Sequence, residues 1–153
     1  MPRVSVLMPC YNAAETLPEA LASLAEQTLA DFEVVVVDDG SSDASLEILR
    51  GWERHDTRFR VLAQSHGGIV SALNRGLAVC RAPFIARMDS DDRSYPQRLE
   101  KQVDYLESHP SVAVVGCLVR GYRPGQEPMP GFAIYIEWLN SLVSDTDIRR
   151  EIF

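Results

Sequence analysis

Three carboxylates fall within four residues at Asp89, Asp91 and Asp92, immediately after the strand-forming run Phe84 to Met88. Ionised and close together they repel one another, a cost relieved by solvent or by a bound cation. Asp89 and Asp91 are two residues apart. On extended backbone that spacing points both side chains to one side, where they can share a hard divalent ion such as Mg2+ or Mn2+ through oxygen. For an isolated Asp-x-Asp, a solvated acidic loop that also caps a helix is the simpler reading. Position favours the ion here, because a second acidic pair, Asp38-Asp39, closes another strand-forming run, and ligands of open α/β sheets bind beyond the carboxyl ends of the strands.

The neighbouring residues add binding chemistry of lower specificity. Gly40 frees the backbone for a tight turn after Asp39, and a hydroxyl of Ser41 or Ser42 can cap the following helix. Tyr11 and Asn12 follow the first strand-forming run. A ring there can stack on a nucleobase, and an amide can hydrogen-bond to it or cap a helix, although an ordinary loop needs neither. Gly67-Gly68 offers backbone N–H groups at a helix start, an unspecific seat for phosphate. His55, His66 and His109 are scattered without ligand spacing and are expected to be solvated. Cys10, Cys80 and Cys117 are odd in number and far apart, as expected of reduced, mostly buried thiols.

These residues need a scaffold, and the first 120 residues supply one by alternating β-branched runs with segments of helical periodicity. Strands are expected at Val4 to Met8, Phe32 to Val37, Phe59 to Ala63, Phe84 to Met88 and Val112 to Val119. Helices are expected near Thr16 to Glu26, Ala44 to Glu53, Ile69 to Cys80 and Pro96 to Ser108. Pro18 belongs in a first turn, Ser42 can cap the second helix, and Ser94 with Gln97 forms a capping-box pattern around Pro96. Leu17, Leu21, Leu24 and Ala25 form one core stripe, and Ile69, Leu73, Leu77 and Cys80 another. Gly121, Pro124, Gly125, Pro128, Pro130 and Gly131 then mark a loop. Ile136, Leu139, Leu142 and Val143 suggest a further helix, and Ser144 with Asp147 a short last one. The organisation expected is an α/β core over 1–120 and an incomplete loop-and-helix region over 121–153.

Composition excludes several functions. The 153 residues carry a net charge of -7 with no basic cluster beyond Arg149-Arg150, which argues against nucleic acid. Lys101 is the only lysine and no Gly-Lys-Ser/Thr occurs, so a Walker-type phosphate loop is absent. Pro9-Cys10-Tyr11-Asn12 contains no glycine, which excludes a dinucleotide fingerprint after the first strand. No apolar run approaches the ~20 residues of a membrane span, and the chain is expected in the cytoplasm.

Taken together, the sequence resembles the inverting nucleotide-sugar glycosyltransferases of family 2, which have the GT-A (Rossmann-like) fold. The resemblance rests on Val4 to Asn12, Ser23-Leu24 with Gln27-Thr28, Phe32 to Asp43, Ala72-Leu73-Asn74 with Gly76, and Arg87 to Asp92 followed by Pro96, Arg98, Leu99 and Gln102. It implies a mainly parallel sheet flanked by helices. Pro9, Tyr11 and Asp39 would hold the base of the donor, with Asp39 accepting the imide N–H of a uracil or thymine. Asn12 and Asn74 are further nucleotide-binding candidates. Asp91 would bind a divalent metal (Mn or Mg) directly, with Asp89 near the ribose or a metal-bound water. That metal would neutralise the departing diphosphate, which lets an acidic chain bind a sugar nucleotide.

Two departures from the family pattern stand out. Leu73 occupies a position where many members carry an arginine that helps hold the diphosphate, leaving Asn74 and Arg75 as candidates. The catalytic base is expected beyond Phe153, because Glu137, Asp145, Asp147 and Glu151 lack its expected context. The chain is therefore expected to be the C-terminally truncated, donor-binding portion of an enzyme that transfers sugar from a UDP-sugar to a saccharide or lipid-linked acceptor. Membrane association stays open for a full-length protein. The alternatives are a non-catalytic nucleotide- and metal-binding module and, less favoured, a Mg-dependent phosphoryl-transfer domain, which would call for a strand-end lysine that this chain lacks.

Overall fold

The computed structural model describes residues 1–122 and 130–152. The elements run β1 (Val4–Cys10), α1 (Leu17–Ala25), β2 (Phe32–Asp38), α2 (Ser45–His55), β3 (Phe59–Ala63), α3 (Ile69–Leu77), β4 (Phe84–Arg87), α4 (Arg98–Ser108), α5 (Pro130–Ser141) and α6 (Asp145–Ile152). Four strands form a parallel sheet in the order β3-β2-β1-β4, with Val4 opposite Phe32 and Phe84, and Val34 opposite Phe59. This is the helix-flanked parallel α/β sheet expected from the alternating pattern.

Strand alternation divides the sheet into two faces. Val4, Val6 and Met8 of β1 and Val34 and Val36 of β2 join Leu17, Leu21 and Leu24 of α1, Leu49 of α2, and Leu99 and Val103 of α4 in one core. The expected α1 stripe is thus buried through its leucines, each contributing roughly 1.5–3 kcal/mol relative to exposure. On the other face, Leu7, Val35 and Val37 lie beneath Gly76 of α3. A Cβ on Gly76 would overlap Leu7 Cδ1 and sit 3.0 Å from Val37 Cγ2. Close approach therefore selects Ala72 and Gly76 as the buried face of α3. The stripe expected there is not formed, since Ile69 and Leu77 are 53% and 50% exposed.

Two expected caps also differ. Ser42 does not cap α2; instead Asp43 Oδ1 accepts the Ser45 amide at 2.9 Å. Ser94 makes no capping box, because α4 starts at Arg98 and Ser94 is buried, its amide donating to Ser23 Oγ and its hydroxyl oxygen accepting from Gln27 Nε2. Pro18 does lie in the first turn of α1. Ser144 and Asp147 form their reciprocal cap at the start of α6, with Ser144 Oγ accepting the Asp147 amide and Asp147 Oδ2 accepting the Ser144 amide, both at 3.1 Å.

At the amino-terminal end of the sheet, Glu33 is buried within an otherwise apolar strand. It accepts Ser5 Oγ at 2.6 Å, the Arg81 amide at 2.7 Å and Arg81 Nε at 2.8 Å. Burial works to raise its carboxyl, but Ser5 and Arg81 outweigh it and hold the group below the ordinary carboxylate range.

The chain divides into two compact units, Met1–Val115 and Gly116–Phe153. The strand expected over Val112 to Val119 is absent. Val114 and Leu118 are exposed, and the Val119 amide and carbonyl bond the Asn140 carboxamide instead of a neighbouring strand. Pro130 and Gly131, expected in a loop, begin α5. Pro124, Gly125 and Pro128 lie outside the described residues. All three cysteines are free, but Cys117 is exposed rather than buried. Among the described residues, no helix is long and apolar enough to cross a membrane.

Candidate functional site

Strand order reverses direction between β1 and β4, and such a switch point opens a crevice at the carboxyl ends of the strands. Tyr11 and Asn12 leave β1, Asp39 and Gly40 leave β2, and Asp89 follows β4. Thr16 Oγ1 donates to the Ser90 carbonyl at 3.1 Å, tying the start of α1 to the acidic loop. Pro9 sits within β1, where it is tolerated for a local reason. The Leu7 carbonyl bonds Met88 while that of Cys10 bonds Asp39, so by alternation the missing N–H of Pro9 would point past the last β4 pair, Leu7 with Arg87.

Asp39 is 3% exposed, and both its oxygens accept hydrogen bonds. Oδ1 accepts Gln64 Nε2 at 2.5 Å and the Gly67 amide at 2.9 Å. Oδ2 accepts the Gly68 amide at 2.8 Å and lies 2.9 Å from His66 Nδ1. Burial works to raise this carboxyl, yet Gln64, the two amides and the His66 ring outweigh it and hold the group below its ordinary value. Gly67 and Gly68 are therefore not a free phosphate seat: their amides at the start of α3 are occupied by Asp39. The turn depends on Gly40, whose φ is +77° and where a Cβ would lie 2.7 Å from the His66 nitrogen.

The Tyr11 ring is half-exposed at the crevice and stacks on His66, with centroids 4.3 Å apart and planes at 29°. His66, expected to be merely solvated, thus joins Tyr11 to Asp39. Asn12 adopts a positive φ of 49°, and its Oδ1 accepts the Ser42 amide at 2.8 Å. Its side chain thereby holds the β1 and β2 loops together. Asn74 is exposed on α3, and neighbouring Arg75 reaches Gln64 Oε1 at 3.5 Å. Asp38 is buried with Oδ1 unpaired, and together with desolvation it pushes the nearby Cys10 thiol up to about 11.

On the acidic loop, Asp89 Oδ1 accepts Arg87 Nη2 at 2.7 Å, Asp91 is exposed, and the Asp92 amide bonds the Asp89 carbonyl at 3.2 Å. Desolvation and the charges of Asp91 and Asp89 push the Asp92 carboxyl above its ordinary range. Among the described residues, no three His, Cys, Asp or Glu side chains form a ready cage for a metal. Mg2+-type ions commonly take only one or two carboxylates and complete their shell with water and substrate phosphates. Ser90 and Asp91 lie in a turn rather than on the extended backbone expected, so spacing alone does not set both carboxylates to one side; the hard oxygens of Asp91 and Asp89 are of the type such an ion takes. Gln64 and Arg87 contact the candidate residues without having been singled out by motif, and His66, beside Gly67, was the histidine least safely read as solvated. For His66, the signal was its place beside Gly67-Gly68.

Comparison with known proteins identifies the family and the fold. Residues 5–149 match the family described as Glycosyl transferase family 2. The chain is 41% identical over 118 residues to the amylovoran biosynthesis glycosyltransferase AmsE of Erwinia amylovora, covering 75% of this chain and 44% of that protein. The S. aureus protein TarS 1-349 in complex with UDP-GlcNAc superposes with a TM-score of 0.67 at 32% identity, over 72% of this chain and 32% of that one. The mannosyltransferase PcManGT of Pyrobaculum calidifontis, in complex with GDP-Man and Mn2+, gives 0.71 at 31% identity, over 78% and 36%. The chain thus spans less than half the length of these relatives. A parallel sheet with paired acidic strand ends, a family match over nearly its whole length and structural likeness at more than 30% identity establish that this chain belongs to glycosyl transferase family 2.

Proposed function

We propose that this chain is the donor-binding portion of an inverting glycosyltransferase that uses a UDP-sugar. The observation that carries the reading is the buried Asp39 carboxylate, joined through His66 to the half-exposed Tyr11 ring, at the sheet edge where Asp89 and Asp91 follow β4. A carboxylate accepts and does not donate, so it suits a base with an N–H edge such as uracil. UDP-GlcNAc bound to TarS supports that donor class. Asp91 and Asp89 would hold a divalent ion, as the Mn2+ with GDP-Man in PcManGT suggests, and that ion supplies Lewis-acid neutralisation of the diphosphate leaving group. Pro9 and Tyr11 would flank the base, while Asn74 or Arg75 would approach the diphosphate in place of the arginine that Leu73 replaces.

The acceptor is a saccharide or a lipid-linked saccharide, a class supported by AmsE, named for amylovoran biosynthesis. Attack of its hydroxyl on the anomeric carbon, opposite the leaving diphosphate, inverts that centre. We assign the base for this attack to none of the residues named here, and the chain by itself is expected to bind donor without turnover. Calorimetric titration of UDP with and without Mn2+ tests the reading. Metal-dependent binding that disappears in Asp91→Ala and weakens in Asp39→Ala is expected. Binding unchanged in both variants would reject the site, and sugar transfer by the chain alone would reject the assignment of the base elsewhere.

A further inference from the structure

The Asp39 carboxylate is closed in on every side by its own neighbours. Gln64, Gly67 and Gly68 hydrogen-bond its two oxygens, and His66 Nδ1, which bonds the Asp39 main-chain carbonyl at 3.1 Å, stands 2.9 Å from Oδ2 and blocks the approach to what is left of it. A base N–H reaches Asp39 only by replacing one of these partners. The two amides are fixed in the start of α3. Gln64 is held at both ends of its carboxamide, by Ser71 Oγ at 3.2 Å and Arg75 Nη1 at 3.5 Å. The His66 side chain is 57% exposed. Its main chain is packed beneath Gly40, so the ring can swing while the backbone stays.

The His66 ring also presents what a uracil would present. It is planar, lies against the Tyr11 face, and holds Nδ1 2.9 Å from Asp39 Oδ2 and 3.1 Å from the Asp39 main-chain carbonyl. Set between two oxygens that can only accept, that nitrogen acts as the donor. A third ring between Tyr11 and His66 would need them about 7 Å apart, two contacts of roughly 3.5 Å, whereas their centroids are 4.3 Å apart. We infer that His66 is a built-in surrogate for the nucleobase: its imidazole fills the base seat between Tyr11 and Asp39, and the donor enters by displacing it. The inference rests on the nucleotide-sugar reading above and assigns His66 the role of setting the threshold for base binding.

The test compares the chain with His66→Ala in calorimetric titrations of UDP and of pyrophosphate, both with Mn2+. Removing the surrogate should tighten UDP about three- to tenfold, the scale of one exposed stacking and hydrogen-bonding contact, and leave pyrophosphate unchanged. In the unaltered chain, nuclear Overhauser contacts between the Tyr11 and His66 rings should vanish on adding UDP and persist with pyrophosphate. UDP affinity that stays level or falls in His66→Ala, or ring contacts that survive UDP, would overturn the displacement. If neither chain binds UDP while both bind pyrophosphate, the base seat at Tyr11 and Asp39 fails along with it.

Discussion

The Arg87 guanidinium lies 2.7 Å from Asp89 Oδ1, and the Arg87 carbonyl accepts Arg98 Nη2 at 2.9 Å, so α4 braces the last residue of β4 and, through it, the acidic loop. The ion pair is substantially exposed on both sides, so its contribution to stability is small. Its consequence is orientation, because one Asp89 oxygen is held while Asp91 stays open to solvent.

Asp91→Asn should therefore abolish Mn2+ enhancement of UDP binding, while Arg87→Gln should weaken it about tenfold, the scale of losing a group that orients a ligand. Both variants should melt within about 3 °C of the parent. Calorimetry and thermal denaturation read the two effects separately, and a large loss of melting temperature in Arg87→Gln would show a structural role instead.

Asp39→Asn replaces one acceptor oxygen by an NH2 group facing amides that only donate. UDP affinity should fall about 10- to 100-fold. Because the Asp39 carboxyl is held below its ordinary value, UDP binding by the unaltered chain should persist through mildly acidic pH. Titrations at several pH values check this, and a loss of binding already near neutrality would contradict an ionised Asp39 as the acceptor.

Glu33 connects stability to pH. Its folded carboxyl is lowered, so its contribution is fully present above the unfolded value of about 4.3 and is lost as pH falls through the lower folded value. Glu33→Gln should cost about 1–3 kcal/mol at neutral pH and flatten the acid limb of a plot of melting temperature against pH. An acid limb as steep as that of the parent would assign the effect to other carboxylates.

Two glycines in helices should respond with opposite sign. Gly76→Ala places a methyl against Leu7 and Val37 and should destabilise by about 1–3 kcal/mol. Gly51→Ala in α2 meets nothing within 4 Å and should stabilise by about 0.5–1 kcal/mol through helix propensity. Denaturant melts of both variants measure the contrast.

The sequence by itself determined the strand-helix alternation of residues 4–108 and the acidic strand ends, because apolar period and residue type are local properties of the chain. The α1 leucines, the parallel β1 and β2 valines and Asp39 with Gly40 were all legible in this way. Tertiary structure alone decided which face of α3 is buried, because helix-to-sheet distance selects Gly76 over the larger Leu77. It also decided that Val112 to Val119 forms no strand, since β-branched residues favour a strand only where the backbone pairs with another, and the Val119 backbone bonds the Asn140 side chain instead. Gln27 shows the same division: a motif residue in the sequence, it acts in the fold by donating to the Tyr95 carbonyl and accepting the Leu99 amide, 68 and 72 residues away. His66 depended most on the fold, because its role comes from Tyr11 and Asp39, which sequence distance separates and the parallel sheet brings to one edge.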